Sequence, residues 1–347
     1  MAVIWAVDEY ADLLRVSSAS ASNDQRLGGS EAPPAVISVF LGDQLTDLLT
    51  EIETGGESAI RQGGNLRIGV ATIPTLPKDI SDRNRTSPFA FTGKKFEFRM
   101  VGSSMSIADC NVMINTSVAE ILSRIAQRLE EADDINDECR RIIRDVMRDH
   151  KRVIFNGNNY SDEWRREAEE RGLPHIHSSV EAAEALIRQK NVDLFEKHGV
   201  FDRKELESRY EIRLESYAKT VNIEANTMVE MTRRLIVPAV VKYSKFLSDA
   251  LVQMKNTGLA VDVSLEAGLL KEVSAQAAAL RAALSRLEKL LEKGAAMTDV
   301  PDKAAFYEEK VLPAMSALRE PADQLETLLG KDFWPMPTYT DLMYGIL

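Results

Sequence analysis

Residues 91–104 read FTGKKFEFRMVGSS and place charged and apolar side chains at alternate positions. Three charged residues occupy one set of positions, namely Lys95, Glu97 and Arg99. Three large apolar residues occupy the other set, namely Phe96, Phe98 and Met100. Because successive side chains of a β-strand point to opposite faces, we expect the apolar set to face a core. The charged set then faces either bulk water or a ligand.

The composition of the 347-residue chain limits the classes of protein to consider. It is 44% hydrophobic and 28% charged, which suits one large or two ordinary globular domains. The net charge of -11 does not favour binding to polyanionic nucleic acid. Two cysteines, Cys110 and Cys139, predict a reducing compartment rather than a disulfide framework. With neither a signal peptide nor a membrane-spanning run expected, we predict a cytoplasmic protein.

The composition of the sequence and the spacing of its apolar residues change near residue 115. Before it, Gly, Pro, Ser and Thr are frequent, and we expect strands within residues 32–41, 65–73 and 94–100. After it, apolar residues recur at helical spacing. The sequence therefore predicts an α+β fold with a β-rich first part and a mostly helical second part.

Two capping boxes predict where helices begin. The Ser117-x-x-Glu120 spacing indicates the start of the first helix after residue 115, and Ser178-x-x-Glu181 indicates a later start.

The second half contains two long helical patterns and an irregular end. Residues 203–255 read as one helical stretch in which Pro238 predicts a kink or break, because proline lacks the backbone donor. Residues 264–293 are rich in Ala and Leu and predict another helix. The closing segment 334–347 is rich in Pro and aromatic residues, and we expect it to pack onto a neighbour rather than to form a regular element.

Two loops carry charges that suit catalysis. NDQRLGGSEAPPA (23–35) holds Arg26 and Glu31 between Gly-Gly and Pro-Pro, a composition that suits a lid. LPKDISDRNRTSP (76–88) is basic and includes Arg85, and clustered arginines can neutralise transferring phosphates. The alternatives are a surface turn for the first loop and a solvated basic loop for the second.

The charged row of the strand offers a metal ligand beside cations. Mg²⁺ takes oxygen ligands and often shares them with phosphates, so Glu97 is a candidate ligand. Lys95 and Arg99 lie roughly 7 Å away along the same face and could bind anions. The alternative is an exposed ladder of ion pairs. His175 and His177 have no evident third ligand, so we expect surface histidines rather than a metal pair.

Several long motifs resemble one known family, type III glutamine synthetase. They are RLGGSEAPPAVIS, LPKDISDRNRTSPFAFTGKKFEFRMVGSS, NGNNYSDEW, LFEKHGVF and SRYEIRLESYAKTVNIEA. The resemblance covers almost the whole chain and implies the C-terminal half of such an enzyme. It implies the end of the catalytic barrel over residues 1–150 and the helical C-terminal domain over residues 151–347. The fuller chain of the family also has an N-terminal β-grasp domain and the first part of the barrel.

The resemblance implies ligation of ammonia to glutamate through γ-glutamyl phosphate, with ATP and a divalent metal, Mg²⁺ or Mn²⁺. It implies that Glu31 closes over the intermediate and helps to deprotonate ammonium. Arg85 would contact phosphate and stabilise developing charge. Lys95 stands where an ATP-contacting arginine is usual in the wider superfamily.

The same resemblance implies the residues that hold substrate and metal. Arg26 and Arg99 would bind glutamate, and Glu97 would ligate a metal ion. Two departures from the family pattern are Gln25 in place of His, and Gly-Ser at 29–30 in place of Ala-Asn. Neither departure removes a charged group to which the resemblance gives a role.

Because one carboxylate cannot hold two or three divalent ions, we expect this chain alone to be inactive. The family forms double rings, so the resemblance also implies a homo-oligomer. One alternative is a non-catalytic helical assembly module derived from glutamine synthetase. Another is an unrelated helical scaffold with a small sheet.

Overall fold

The computed structural model describes residues 1–28, 32–55 and 87–345, together with the backbone of two short strands at 65–66 and 76–77. Within these ranges it confirms the α+β prediction, with helices predominating and one small mixed sheet.

The chain divides into two compact units, Met1–Arg213 and Leu214–Leu347. The predicted domain boundary near residue 150 stays a prediction. The first unit contains nine complete helices within its described residues: α1 (Ala2–Glu9), α2 (Ala11–Ser17), α3 (Ala21–Arg26), α4 (Asp43–Thr54), α5 (Ala108–Glu130), α6 (Ile135–His150), α7 (Asp162–Glu170), α8 (Ser179–Ala183) and α9 (Gln189–Lys197).

The described sheet residues form two small sheets. The strands are β1 (Val39–Phe40), β2 (Asn65–Leu66), β3 (Leu76–Pro77), β4 (Phe89–Phe91) and β5 (Phe96–Phe98). The larger sheet has the order β1-β4-β5, with β1 parallel and β5 antiparallel to β4. Strands β2 and β3 form a separate antiparallel pair. The strand predicted over 65–73 lies mostly outside the described residues.

The β-rich character predicted for the first part is wrong for its described residues, which include four complete helices and the start of α5. The opening segment has apolar residues at helical spacing and forms two helices rather than strands. Its apolar side chains are part of the core of the first unit. Ile4, Val7, Leu13, Leu14 and Val16 are all buried. Burial of this apolar face against α5 and α6 stabilises α1, which is too short to persist alone in water.

The capping box predicted at Ser117 is also wrong. Helix α5 begins nine residues earlier, at Ala108, whose N–H donates to the Ser106 hydroxyl. The Ser117 hydroxyl instead donates to the Met113 carbonyl one turn back, as serine can inside a helix. The second predicted helix start is confirmed, since Ser178 accepts a hydrogen bond from the Glu181 N–H at the start of α8. The Glu181 carboxylate accepts from the His177 N–H instead of the Ser178 N–H, so the box is not reciprocal.

The second unit is built from long helices. They are α10 (Arg203–Met231, of which the last 18 residues belong to this unit), α11 (Val237–Asn256), α12 (Ser264–Ala295), α13 (Val300–Phe306), α14 (Leu312–Leu328) and α15 (Tyr339–Tyr344). Helix α12 packs against α11 and α14. The chain does not break at Pro238, because a π-helical turn at Thr232–Ile236 joins α10 to α11 without a gap and Pro238 lies in the first turn of α11.

The closing segment forms a regular element, contrary to the prediction. Thr338 and Asp341 make a reciprocal capping box at the start of α15. Lys331 pairs with Asp341 at 2.7 Å and fixes this end of the helix. The capping spacing was the sequence signal that indicated a helix despite the neighbouring prolines.

Among the helices in the described ranges, each is either too short or too polar to cross a membrane.

Candidate functional site

The charged row of β5, which extends from the residue before the strand to the residue after it, is a chain of ion pairs centred on Glu97. Lys95 Nζ lies 3.3 Å from Glu97 Oε1, and Arg99 Nη2 lies 3.2 Å from Glu97 Oε2. The side chains of Glu97 and Arg99 are each 27% exposed, whereas that of Lys95 is 70% exposed. The row can therefore be reached from solvent and also extends into a half-buried position.

The opposite face of β5 packs on the core, as predicted from the alternation. Phe89 of β4 lies 5.7 Å from Phe96 and 5.4 Å from Phe98, measured between ring centroids. Met100 is buried. The turn before β5 has Gly93 at φ +85°, where a side chain would be strained. These contacts fix which face of the strand the charged row occupies.

The cations of the row lower the pKa of Glu97. Hydrogen bonding from Lys95 contributes most, partial burial opposes it, and hydrogen bonding from Arg99 adds to the lowering. Glu97 is therefore a carboxylate at neutral pH, the form that ligates a hard cation. The residues fit one metal ligand flanked by two groups that can bind phosphate or carboxylate.

Arg26 joins this strand although it lies on a different element. It is the last residue of α3, and its Nη2 donates to the carbonyl of Met100 at 2.9 Å. Its Nε donates at 2.9 Å to the side-chain oxygen of Asn23. The Asn23 amide in turn donates to the carbonyls of Ser18 and Met100. These hydrogen bonds hold the Arg26 side chain against Met100, the residue that follows Arg99.

Asn23 is a residue of the candidate site that the sequence reasoning missed. Its side chain is buried and uses both amide functions, accepting from Arg26 and donating to two carbonyls. The neighbouring Asp24 bonds the buried Arg15 guanidinium at 2.7 Å and the Ser179 N–H at 2.6 Å. The only available signal was the polar pair Asn23-Asp24 two residues before Arg26, which does not reveal partners far along the chain.

The loop that contains Glu31 is described only at its base. Residues 29–31 lie outside the described ranges, so the position of Glu31 stays a prediction. Leu27 and Ala32 form a parallel bridge, and the Gly28 N–H donates to the carbonyls of Ala32 and Pro33. Gly28 has φ +81°, which favours glycine. The two ends of the loop are therefore held together beside Arg26.

Arg85 also lies outside the described residues, and its role stays a prediction. Two positions later the chain is firmly anchored. The Ser87 hydroxyl is buried, donates to the Phe155 carbonyl at 2.8 Å and accepts from the Ser38 hydroxyl at 2.9 Å.

The motif NGNNYSDEW, quoted for the family resemblance, acts structurally in the described part of the chain. The Asn156 side-chain oxygen accepts from the N–H groups of Leu41 and Gly42, both at 3.0 Å. The buried Asn159 side chain donates to the Ser38 hydroxyl at 3.4 Å. These amides secure the end of β1 and so support the sheet that carries β5.

A second carboxylate cluster lies in the helices of the first unit. Glu120 of α5 accepts hydrogen bonds from Arg124, Lys197 and His198, each at 2.8 or 2.9 Å. Burial raises the pKa of Glu120, but the bonds from Lys197, Arg124 and His198 outweigh burial and lower the pKa to about 2. Since every partner is a protein side chain, this cluster is an internal support.

Histidine and cysteine do not add a metal centre in the described ranges. The rings of His175 and His177 lie 3.8 Å apart between centroids and are tilted by 41°, and burial lowers the pKa of His175. Cys110 and Cys139 are free thiols. Across residues 1–28, 32–55 and 87–345, no three His, Cys, Asp or Glu side chains are grouped as a metal site would require.

Comparisons with known proteins identify the family. Residues 138–255 match the family model "Glutamine synthetase C-terminal domain". The chain is 40% identical to a glutamine synthetase of Butyrivibrio fibrisolvens over 351 aligned residues, which cover 100% of this chain and 49% of that protein. It is 35% identical to a "Type-3 glutamine synthetase" of Dictyostelium discoideum, over 99% of this chain and 48% of that protein.

These matches first define the class of protein, an α+β fold whose curated relatives are named glutamine synthetases. The chain belongs to the glutamine synthetase family, and its relatives include a type-3 member. A glutamine synthetase of Bacteroides fragilis matches at 33% identity over 99% of this chain. The chain spans about half the length of the curated relatives it matches.

Proposed function

We propose that this chain carries the C-terminal part of the catalytic site of a type III glutamine synthetase. The observation that supports this most is the bond from Arg26 to the Met100 carbonyl, between residues 74 positions apart. It brings a fourth charged side chain to the strand that carries Lys95, Glu97 and Arg99. A carboxylate beside several cations suits a reaction among a metal ion, phosphate and an amino acid.

The reaction proposed is the ATP-dependent ligation of ammonia to glutamate. An oxygen of the glutamate γ-carboxylate attacks the γ-phosphorus of ATP, and ADP leaves. Ammonia then attacks the γ-carbonyl carbon, phosphate leaves with the C–O bond electrons, and the nitrogen loses a proton. In this scheme Arg26 and Arg99 bind the carboxylates of glutamate, and their charges hold the substrate in one orientation.

The remaining residues bind the phosphate and the metal in this proposal. Lys95 contacts ATP, and Glu97 ligates Mg²⁺ or Mn²⁺, which would neutralise phosphate charge when bound. Arg85 stabilises the developing phosphate charge, and Glu31 helps to take a proton from ammonium, which gives the ammonia that attacks.

We propose that the 347-residue chain alone has no synthetase activity. Among the described residues, Glu97 is one carboxylate ligand, and Mg²⁺ prefers near-octahedral coordination with several oxygen ligands. Purified chain should form no γ-glutamyl hydroxamate from glutamate, hydroxylamine and Mg-ATP. Hydroxamate formation above that of a no-enzyme control would contradict this part of the proposal.

A chimera tests the function itself. The part of the Butyrivibrio fibrisolvens relative outside the matched region would be joined to this chain. We expect hydroxamate formation that depends on ATP and on Mg²⁺ or Mn²⁺. A folded, assembled chimera with no activity, alongside an active Butyrivibrio enzyme, would contradict the proposed function.

A second candidate function is a non-catalytic assembly module. Helix α11 exposes Val241, Phe246 and Val252 to between 55% and 63%, an apolar surface that suits contacts with another subunit. In either case we propose a cytoplasmic homo-oligomer. Substitution of the β5 row separates the two functions, because it should abolish activity in the chimera and leave assembly unchanged.

A further inference from the structure

The second unit contains a cavity that the proposed reaction does not use. Its volume is about 320 Å³, which lies at the lower end of the range for small-molecule sites. One wall is formed by α10, and the others by the end of α12, the turn after it and the start of α13. All of these residues belong to the second unit.

The wall on α10 comes from a motif that the family resemblance singled out. SRYEIRLESYAKTVNIEA supplies four lining residues, namely Glu215, Ala218, Lys219 and Asn222. The proposed ligation of ammonia assigns no task to any of them.

The buried residue Tyr307 lines the polar end of the cavity. Tyr307 begins a π-helical turn, a feature that is frequent at functional sites. Its ring lies against Gly294, where a Cβ atom would come within 3.0 Å of the ring. Its hydroxyl donates to the side-chain oxygen of Asn222 at 2.9 Å. Asn226 donates to the same oxygen at 3.1 Å.

These two donors fix the Asn222 amide and free its nitrogen for a ligand. The described residues provide no hydrogen-bond acceptor for Asn222 Nδ2. Lys303 also lines the cavity, and its ammonium makes a weak contact of 3.4 Å with the Met297 carbonyl. A ligand oxygen could therefore receive one charged and one neutral hydrogen bond.

The charges and the lining select the ligand. Lys219 pairs with Glu215 at 2.8 Å, so this pair contributes no net charge. Lys303 leaves the cavity with a net charge of about +1, which favours a monoanion. Ala218, Met297 and Val300 provide apolar walls for the rest of the molecule. We propose that this cavity binds a small organic monocarboxylate with an apolar body.

The proposal can be tested on the 347-residue chain without synthetase activity. Benzoate and hexanoate are the probes, and benzamide and hexanamide are their neutral counterparts. We expect saturation-transfer NMR and titration calorimetry to give dissociation constants of the order of 1 mM for the carboxylates, given their few non-hydrogen atoms. The amides should bind at least about tenfold more weakly, because they lack the charge that Lys303 recognises.

Two variants locate the site. Lys303→Gln should weaken carboxylate binding about tenfold, because it removes the charge and keeps the length of the side chain. The matched control is Lys310→Gln, since Lys310 is exposed, lies on the π-helical turn and does not line the cavity. Tyr307→Phe should weaken binding about threefold by releasing the Asn222 amide. Circular dichroism establishes that each variant is folded.

Three results would overturn the proposal. The first is the absence of carboxylate binding up to 20-fold above the expected dissociation constant. The second is equal binding of carboxylates and amides. The third is equal affinity of folded Lys303→Gln and Lys310→Gln. If Lys303→Gln does not fold, titration of the unaltered chain at increasing salt replaces it, and a salt-independent affinity would overturn the proposal.

Discussion

Glu97 and Glu120 are both carboxylates held by lysine and arginine, but they lie in contrasting surroundings. The partners of Glu97 are two residues away, directly before and directly after its own strand, and its side chain is 27% exposed. Two partners of Glu120 are 77 and 78 residues away, and its side chain is 6% exposed. A carboxylate with distant partners supports the fold. One with neighbouring partners can exchange them for a ligand without loss of tertiary structure.

The largest expected effect on stability follows from removing Glu120. Glu120→Ala leaves Lys197, His198 and Arg124 without their common acceptor, and we expect it to lower the free energy of unfolding by ~2–3 kcal/mol. Urea unfolding followed by tryptophan fluorescence measures the change. Glu130→Ala is the matched control, since Glu130 lies on the exposed face of the same helix. Equal stability of the two variants would contradict the structural role of Glu120.

The pH dependence of stability tests the same structural role of Glu120. The pKa of Glu120 falls from 4.5 to about 2 on folding, so its contribution to stability is present above pH 4.5 and is lost as pH falls through 2. Unfolding midpoints should therefore decrease between pH 4.5 and 2. Glu120→Gln should reduce this decrease, and an unchanged slope in that variant would show that other groups cause it.

An intermediate effect is expected at Asn23. Asn23→Ala leaves the buried Ser18 carbonyl without this donor and releases Arg26 from its fixed position. We expect a loss of ~1–2 kcal/mol in the free energy of unfolding. Asn136→Ala is the control, because Asn136 is exposed in the first turn of α6. If both variants unfold at the same urea concentration, the Asn23 bonds do not hold Arg26 to the strand.

The smallest effect on stability is expected for the charged row itself. Glu97→Gln breaks ion pairs that are partly exposed and lie within one strand, so the change in unfolding free energy should be within about 0.5 kcal/mol. Calorimetric melting of the chain measures it. A loss as large as that of Glu120→Ala would place Glu97 among the structural carboxylates.

Local structure that follows from a short sequence pattern could be predicted from the sequence. Contacts between residues far apart in the chain could not. The two-residue alternation at 94–100 gave the correct faces of β5, because strand geometry alone determines it. Pro238 was predicted to kink or break the helix, whereas the chain stays helical through it, beside a π-helical turn at Thr232–Ile236. Ser117 misled the helix assignment, because its hydroxyl bonds inside α5 as readily as at a cap.

The candidate site shows the same limit. The resemblance and the row on β5 identified Arg26, Lys95, Glu97 and Arg99 as site residues, and their roles stay predictions. The contact that unites them depends on Met100, which accepts from both Arg26 and Asn23 across more than 70 residues. Only the folded chain reveals such a pairing, because neither residue carries a local pattern that names its partner.

The central claim is that the row on β5 and Arg26 bind the reactants of a glutamine synthetase. The most direct measurement is the rate of γ-glutamyl hydroxamate formation by the chimera carrying Glu97→Gln. We expect a loss of at least ~100-fold, with the rate restored in part at high Mn²⁺ and with Glu130→Gln unaffected. A Glu97→Gln chimera as active as the Glu130→Gln chimera would contradict the account.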